Sequence, residues 1–380
     1  MPGIDYELLE EEYDEDFRPP PGQKLSTQAQ DRIDEDATAR VIAVDRGRVT
    51  VLLDGEEVDA TFAGSMRGEK VVVGDRVRVR PPERRSDVAR ITERLPRETF
   101  LLRTSDDTRD DPRVVVANAD QVVVIIGADY LEGGVRFLDR VLVAAAAGGL
   151  DAEIVVNKID LVADEADVDR DDDRDRDLRD GDPGPEDSRE DEDPEDGGVV
   201  VARWSDLEAV AERYEQLGSE VLFVSAKTGH NVEQLNWRLE GCWTVMTGHS
   251  GVGKSRLFNR LVPDAQQEIG EVGRRGGRHT TVAAKAMRVP GHEDAWLVDT
   301  PGVRSFGIGM VDPVDLPRLF PELAKLRCDI PDCVHDGEPG CAIDEADIHP
   351  ARWESYQRLL SSLRGDDRWE PDEWAVGPGG

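Results

Sequence analysis

The sequence predicts a multidomain chain: an N-terminal OB-type β-barrel, a circularly permuted α/β P-loop domain and a small α-type zinc-binding domain near the C-terminal end. Three observations lead there. Five short strand-like runs separated by turn residues occupy residues 37–95. The phosphate-loop pattern Gly248-His249-Ser250-Gly251-Val252-Gly253-Lys254-Ser255 stands downstream of Asn157-Lys158-Ile159-Asp160, the reverse of the order usual in such domains. Three cysteines and a histidine crowd between Cys328 and Cys341. The expected boundaries are 37–100 for the barrel, 101–310 for the P-loop domain and 311–365 for the zinc-binding domain. Disordered tails are expected at 1–36 and 366–380, with a disordered acidic insertion at 161–198.

In the first module the runs fall at 38–45, 48–53, 57–62, 75–80 and 87–93, broken by Arg46-Gly47, Asp54-Gly55, Gly74-Asp75 and Pro81-Pro82. Short strands at turn-marked spacing suit a small barrel of the OB type. Charge is balanced here, yet arginines crowd residues 76–85 and 90–103, a pattern that suits RNA phosphates. A merely solvated strand face is the competing reading.

The net charge of -35 is unevenly placed. Residues 1–36 carry twelve acidic against three basic side chains, and 161–198 carry nineteen against five. Both segments lack the aromatic and β-branched density that builds a core, which predicts disorder. A long surface insertion costs the domain little, because closure entropy grows slowly with loop length. No apolar run approaches the roughly 20 residues that span a bilayer, and the acidic start is unlike a signal peptide. A cytoplasmic protein without membrane contact is expected.

Residues 242–247 read as a buried strand and 254–261 as a helix start, so the glycine-rich stretch is a strand-to-helix turn. Its backbone N–H groups can converge on phosphates, Lys254 reaches the terminal phosphates, and the Ser255 hydroxyl takes a place on Mg²⁺. Asp299-Thr300-Pro301-Gly302 follows the apolar run 295–298, which sets Asp299 at a strand end, where it can hold Mg²⁺ through water. The Gly302 N–H can then meet the γ-phosphate. Asn157 to Asp160 follows a strand at 152–156, and the Asp160 carboxylate can accept two hydrogen bonds from the guanine N1–H and exocyclic amine. Adenine has no such donor pair. Ser225-Ala226-Lys227 follows a strand at 221–224, with the Ala226 N–H placed for the guanine O6. Each short motif is weak alone; four at the ends of apolar strands describe a circularly permuted GTPase domain. A doubly wound sheet tolerates the rotation because its old termini lie close together at the surface. The permutation also runs the segment after Gly302 directly into the C-terminal module, so nucleotide state can be transmitted along the backbone.

Residues 273–281, ending in Arg278-His279-Thr280-Thr281, have no apolar period and read as a mobile switch. One of Thr280 and Thr281 would complete the Mg²⁺ shell, and spacing does not choose between them. Position 303 is Val, where Ras-like enzymes carry the glutamine that orients the attacking water. His279 is the nearest replacement in sequence; its plainer reading is a solvated loop imidazole.

Cys328, Cys333, His335 and Cys341 are spaced C-x4-C-x-H-x5-C in a stretch rich in Pro, Gly and Asp. Three thiolates and an imidazole fill a tetrahedral Zn²⁺ shell and leave no open position, so the site is expected to be structural. Free cysteines would find little core in so polar a loop, and a disulfide does not suit a cytosolic chain. Cys242 reads as a small buried apolar residue of the strand before the phosphate loop, and His349 as a surface residue ahead of Pro350.

Taken together, these residues resemble a known family. GHSGVGKS at 248–255, Gly277-Arg278-His279-Thr280-Thr281, DTPGVRSFGI at 299–308 and CDIPDCVHDGEPGCAI at 328–343 are similar to the circularly permuted small ribosomal subunit biogenesis GTPases of the RsgA (YjeQ) family. RVVVANADQ at 113–121, residues 157–161 and the hydrophobic Val303 fit the same likeness, which covers about residues 37–365. The acidic tail and insertion stand outside it. The resemblance implies a GTPase that docks on the nearly mature small subunit, hydrolyses GTP to GDP and phosphate faster when docked, and then leaves. It also implies that the barrel and zinc module touch rRNA. The expected partners are the small ribosomal subunit and its rRNA, with GTP and GDP. The expected cofactors are one structural Zn²⁺ and the Mg²⁺ that accompanies GTP, and a monomer is expected. The alternative is a GTP-switched RNA- or ribosome-binding scaffold with negligible catalysis. A permuted GTPase of large-subunit assembly is disfavoured by the zinc cluster and the barrel.

Overall fold

A computed structural model describes residues 37–45, 48–66, 68–81, 88–103, 113–162, 202–263, 284–300 and 306–365. The segment 1–36, nearly all of 161–198 and the tail 366–380, each expected to be disordered, lie outside the described residues.

The barrel is built from β1 (Ala37–Asp45), β2 (Arg48–Leu53), β3 (Glu56–Phe62), β4 (Arg76–Arg80) and β5 (Ala89–Arg94). These match the expected runs with ends moved by a residue or two. β1 pairs with both β2 and β4, and β5 with both β3 and β4, so the order 1-2-3-5-4 closes on itself and leaves no free edge. Strand alternation fills the interior: Val49, Val51, Val77, Val79 and Ile91 are fully buried, while Arg76, Arg78 and Arg80 fall on the outer face of β4. Asp75, expected to open β4, instead lies buried just before it. It accepts from the Val72 N–H at 2.7 Å and from the Arg97 guanidinium at 2.8 and 3.0 Å, closing the loop into the strand.

β6 (Phe100–Arg103) and β7 (Arg113–Ala117) pair beside the barrel and lead into the second sheet. That sheet holds β8 (Gln121–Gly127), β9 (Asp151–Asn157), β10 (Val221–Phe223), β11 (Trp243–Gly248), β12 (Lys285–Arg288) and β13 (Trp296–Asp299), in the order 10-9-8-11-13-12. All neighbours are parallel except β12, which is antiparallel to β13 and joins β1 of the barrel through the pair Ala43 and Lys285. Among the described residues, five α-helices accompany the sheet: α1 (Leu131–Ala147), α2 (Trp204–Glu215), α3 (Val232–Trp237), α4 (Lys254–Leu261) and α5 (Pro350–Arg364).

β8 is buried at every residue, as a strand covered on both faces must be. Val122, Val124 and Ile126 pack with Leu138 of α1 and Tyr356 and Leu360 of α5, whereas Val123 and Ile125 pack with Leu235 of α3 and Leu257 and Phe258 of α4. The period-two alternation therefore divides the core into two layers. Parallel strands bring their C-terminal ends, and the motif loops that follow them, to one edge of the sheet.

Arg40 of β1 joins the two sheets. Its guanidinium lies 3.5 Å from the centroid of the Trp243 ring and donates to the Asn118 carbonyl, and Trp243 stacks on Trp296 with centroids 5.2 Å apart. Trp243 opens the strand whose far end is the phosphate loop.

The C-terminal module contains, among the described residues, one α-helix and the short turns Leu316–Leu319 and Ile343–Glu345. His349 caps that helix: its Nδ1 accepts from the Ala351 N–H at 3.2 Å. A buried ion network ties α5 to the nucleotide domain. Arg352 pairs with Asp139 of α1 and, at 2.9 and 3.2 Å, with Glu322, while the Tyr214 hydroxyl donates to Asp139 at 2.8 Å. Removing Arg352 would strand two carboxylates whose side chains are only 2% and 6% exposed. Arg352→Met is therefore expected to lower stability by about 3–5 kcal/mol in chemical denaturation. Arg358→Ala, which breaks the exposed pair with Glu354, should change it by less than about 1 kcal/mol. Equal effects of the two would contradict the assignment.

Candidate functional site

β11 is buried through Thr247 and runs parallel between β8 and β13. The turn at its exit needs glycine for two reasons at Gly253: φ is 89°, and a Cβ there would come within 2.5 Å of Asn157 Nδ2. α4 begins at Lys254, as the spacing predicts, and turns its first N–H groups toward the loop. Ser250 and Ser255 are exposed. Lys254 Nζ lies 3.8 Å from Asp299 Oδ1, which ends β13 opposite Met246. The next residue, Thr300, is 1% exposed, and its hydroxyl has no hydrogen-bond partner among the described residues. An ammonium 3.8 Å from a carboxylate at a helix start suits a phosphate and its divalent ion.

The buried amide of Asn157 joins three loops. Its Nδ2 donates to the Val252 carbonyl at 2.7 Å, and its Oδ1 accepts from the Ala226 N–H at 2.9 Å. That N–H, expected to face a guanine O6, is engaged by Asn157. Arg260 of α4 donates to the carbonyls of Ala226 and Lys227, which fastens the Ser-Ala-Lys loop to the helix of the phosphate loop. Asp160 accepts from the Ser225 hydroxyl at 2.6 Å, and Lys227 Nζ lies 3.2 Å from its other oxygen. Burial pushes the Asp160 carboxyl up, but the hydrogen bonds from Ser225 and Lys227 outweigh it and hold the pKa below the ordinary value. Asp160 is thus an ionised acceptor at neutral pH.

Lys158 occupies the left-handed region at φ 68° and pairs with Asp129, just after β8. His249, the second residue of the phosphate loop, has its ring edge-on to Tyr130 and its Nδ1 donating to the Ser250 carbonyl at 2.9 Å. Burial holds its pKa below the ordinary value, so the imidazole is neutral at pH 7. His279, Thr280, Thr281, Gly302 and Val303 lie outside the described residues. Cys242 falls just ahead of β11 and is half-buried; the buried strand positions begin at Trp243.

The second cluster is Cys328, Cys333, His335 and Cys341, whose ligand atoms all lie within 4.8 Å of one another. His335 Nδ1 is 3.2, 3.5 and 3.6 Å from the sulfurs of Cys341, Cys328 and Cys333, and the Cys328 and Cys341 sulfurs are 3.9 Å apart. A tetrahedron with metal–sulfur bonds of about 2.3 Å and a metal–nitrogen bond of about 2.0 Å has edges of roughly 3.5–3.8 Å. The four donors therefore have the spacing of a metal shell and could hold an ion. Burial first, then the neighbouring sulfurs, push the Cys333 thiol up to about 12. Tyr356 of α5 donates to the Val334 carbonyl, so the helix carries the cluster's loop.

The model of the RsgA GTPase family matches residues 94–179 and 200–309. A small ribosomal subunit biogenesis GTPase RsgA from Gemmatimonas aurantiaca is 34% identical over 324 residues, covering 82% of this chain and 92% of that relative. The chain belongs to the RsgA GTPase family. A protein of the same name from Ectopseudomonas mendocina is 34% identical over 325 residues, covering 83% of this chain and 82% of the relative. The crystal structure of YjeQ from Thermotoga maritima aligns with a TM-score of 0.62 and 26% identity, over 87% of this chain and 99% of that one. YloQ, a circularly permuted GTPase, aligns with a TM-score of 0.61 over 92% of this chain and 100% of that one, and at 20% identity it speaks for the fold alone.

In this RsgA-family chain, sequence reasoning passed over Asp129, Arg260 and the Asp139–Arg352 pair. Arg260 has no local signal, since its partners lie more than thirty residues away. Asp139 and Arg140 did carry one: two charges inside the apolar run from Phe137 to Val143 mark a buried polar pair.

The geometry at Asp160 leads to a specificity test. Asp160→Asn should weaken GTP binding about 10–100-fold, the value of lost hydrogen bonds to a charged acceptor, and favour xanthosine nucleotides, whose 2-oxo group needs a donor. Calorimetric titration measures both. Equal wild-type affinity for ATP and GTP would contradict the assignment.

Proposed function

We propose that this chain hydrolyses GTP and assists late maturation of the small ribosomal subunit, with turnover stimulated by the subunit. The observation that carries the reading is the junction at Asn157, which gathers the guanine, Ser-Ala-Lys and phosphate loops in a chain of the RsgA GTPase family. Relatives named for small-subunit biogenesis, matched over most of their length, support the choice of particle.

In this reading Asp160 accepts from the guanine edge, with Asn157, Lys158, Ser225, Ala226 and Lys227 shaping its pocket. The N–H groups of the phosphate loop and the Lys254 ammonium hold the phosphates. Ser255 and Asp299, with Thr280 or Thr281, would hold Mg²⁺, which neutralises charge developing between the β- and γ-phosphates. The Gly302 N–H would contact the γ-phosphate. Val303 cannot hydrogen-bond water, so His279 orients the attacking water in place of a glutamine. Three thiolates and His335 would hold one structural Zn²⁺, which no substrate needs to reach. The outer arginines of β4 and β5, Arg80 and Arg90 among them, would meet rRNA phosphates. Binding should then weaken steeply with salt. In this reading the chain works as a monomer on ribosomal particles in the cytoplasm, a location suggested by the relatives' names; no helix among the described residues is long and apolar enough to cross a membrane. A scaffold without catalysis is not favoured, because both the family and the named relatives are GTPases.

The direct test is GTP turnover with no particles, with small subunits and with large subunits, alongside gradient co-sedimentation in GDP and a non-hydrolysable GTP analogue. Stimulation by small subunits only is expected, and equal rates under all three conditions would overturn the assignment. His279→Ala should lower the stimulated rate on the order of tenfold or more, with little change in GTP affinity. A stimulated rate equal to wild type would show that another group positions the water. Cys333→Ser should lose zinc by elemental analysis and loosen residues 320–365 while leaving GTP binding largely intact. Wild-type protein purified without chelator and found free of zinc would rule the metal out.

A further inference from the structure

α1 touches three parts of the molecule that must act together if nucleotide state is to reach the C-terminal module. At its start, the Tyr130 and Phe137 rings meet the ring of His249 edge-on, with centroids 5.7 and 6.4 Å apart. His249 is the second residue of the phosphate loop. Two residues beyond Phe137, Asp139 is buried and bonded to Arg352 of α5 and Tyr214 of α2. The next residue, Arg140, is 6% exposed and donates through Nε to the Phe306 carbonyl at 3.0 Å. Phe306 is fully buried, and Gly307 after it donates to the Leu102 carbonyl at 3.0 Å. Both lie on the stretch that leads from Asp299 into the C-terminal module.

The placement on the helix is specific. Phe137 and Arg140, three residues apart, share a face, while Asp139 projects from another. One turn of α1 therefore meets the phosphate loop, the stretch after Asp299 and α5 through separate side chains. α1 is buried on nearly every side, so a displacement at His249 cannot be absorbed by loose packing around it. Burial draws the Arg140 pKa down to about 10, below the ordinary value.

We propose that α1 is the strut that couples the nucleotide bound at the phosphate loop to the C-terminal module, with Asp139 and Arg140 as its positioning residues. The proposal rests on the reading of residues 248–255 as the GTP phosphate site. It makes α5, and through Tyr356 the Cys-His cluster, responsive to the nucleotide without any ribosome present.

The test is hydrogen exchange of residues 350–364 in the full, metal-loaded chain, compared between GDP and a non-hydrolysable GTP analogue. In the wild type the two nucleotides should give exchange rates that differ about fivefold or more. Arg140→Met and Asp139→Asn should each reduce the ratio below about twofold, while affinity for a fluorescent GDP stays within about threefold of wild type. Arg140→Lys, which keeps a cationic donor, should retain more of the ratio than Arg140→Met. A merely structural role would raise exchange equally in both nucleotides and leave the ratio unchanged, which would overturn the proposal. Should Asp139→Asn fail to fold, the two Arg140 variants decide. Bound nucleotide with no response in wild-type α5 would overturn this proposal alone. Failure to bind either nucleotide would overturn the GTPase reading and this proposal with it.

Discussion

The site depends on one buried amide. Three loops reach the same edge of the sheet from β9, β10 and β11, and nothing in their own sequences fixes their mutual distance. Asn157 sets it, donating to Val252 in the phosphate loop and accepting from Ala226 in the Ser-Ala-Lys loop. Gly253 is glycine partly because any Cβ would press on that amide. A side chain with one donor and one acceptor, buried where neither backbone group meets water, is strongly specified, since losing it strands both groups. The left-handed turn at Lys158 and the Lys158–Asp129 pair add a further hold on the Asn157–Asp160 loop.

Permutation changes what the site can be connected to. In sequence, the strand that ends in Asp299 leads to the stretch beginning at Phe306 and from there to the C-terminal module. Buried ion pairs at Arg352 fix it to α1 on the other side. On the barrel side, Arg40 packs on Trp243 at the start of the phosphate-loop strand. The barrel and the C-terminal module are thus each fastened to an element that contacts the nucleotide loops. That arrangement suits an enzyme whose surroundings must sense its nucleotide.

Much of this was legible in the sequence, for local reasons. The barrel strands are marked by period-two burial and by Gly, Asp and Pro breaks, and β9, β10, β11 and β13 by apolar runs that stop at a motif. The four metal-type donors lie so close in sequence that spacing alone brings them together. What was hidden is long-range. Arg352 meets Asp139 across 213 positions, and Arg40 meets Asn118 across 78; a charge inside an apolar run marks Asp139 as buried, but nothing local names either partner. Asp75 reads as strand because it abuts one, whereas its carboxylate closes the preceding loop. Cys242 reads as core because Cys is a small apolar residue, but it is half-buried just ahead of the strand, which starts at Trp243.

The central claim, that the Asn157 amide assembles the nucleotide site, is tested most directly by titrating a fluorescent GDP analogue into Asn157→Ala. Stranding the Val252 carbonyl and the Ala226 N–H costs about 1–3 kcal/mol each, so affinity should fall by at least about thirtyfold. Thermal unfolding of the barrel and metal retention by the C-terminal cluster should be unchanged. Affinity within about threefold of wild type, in a protein that remains folded, would contradict the account.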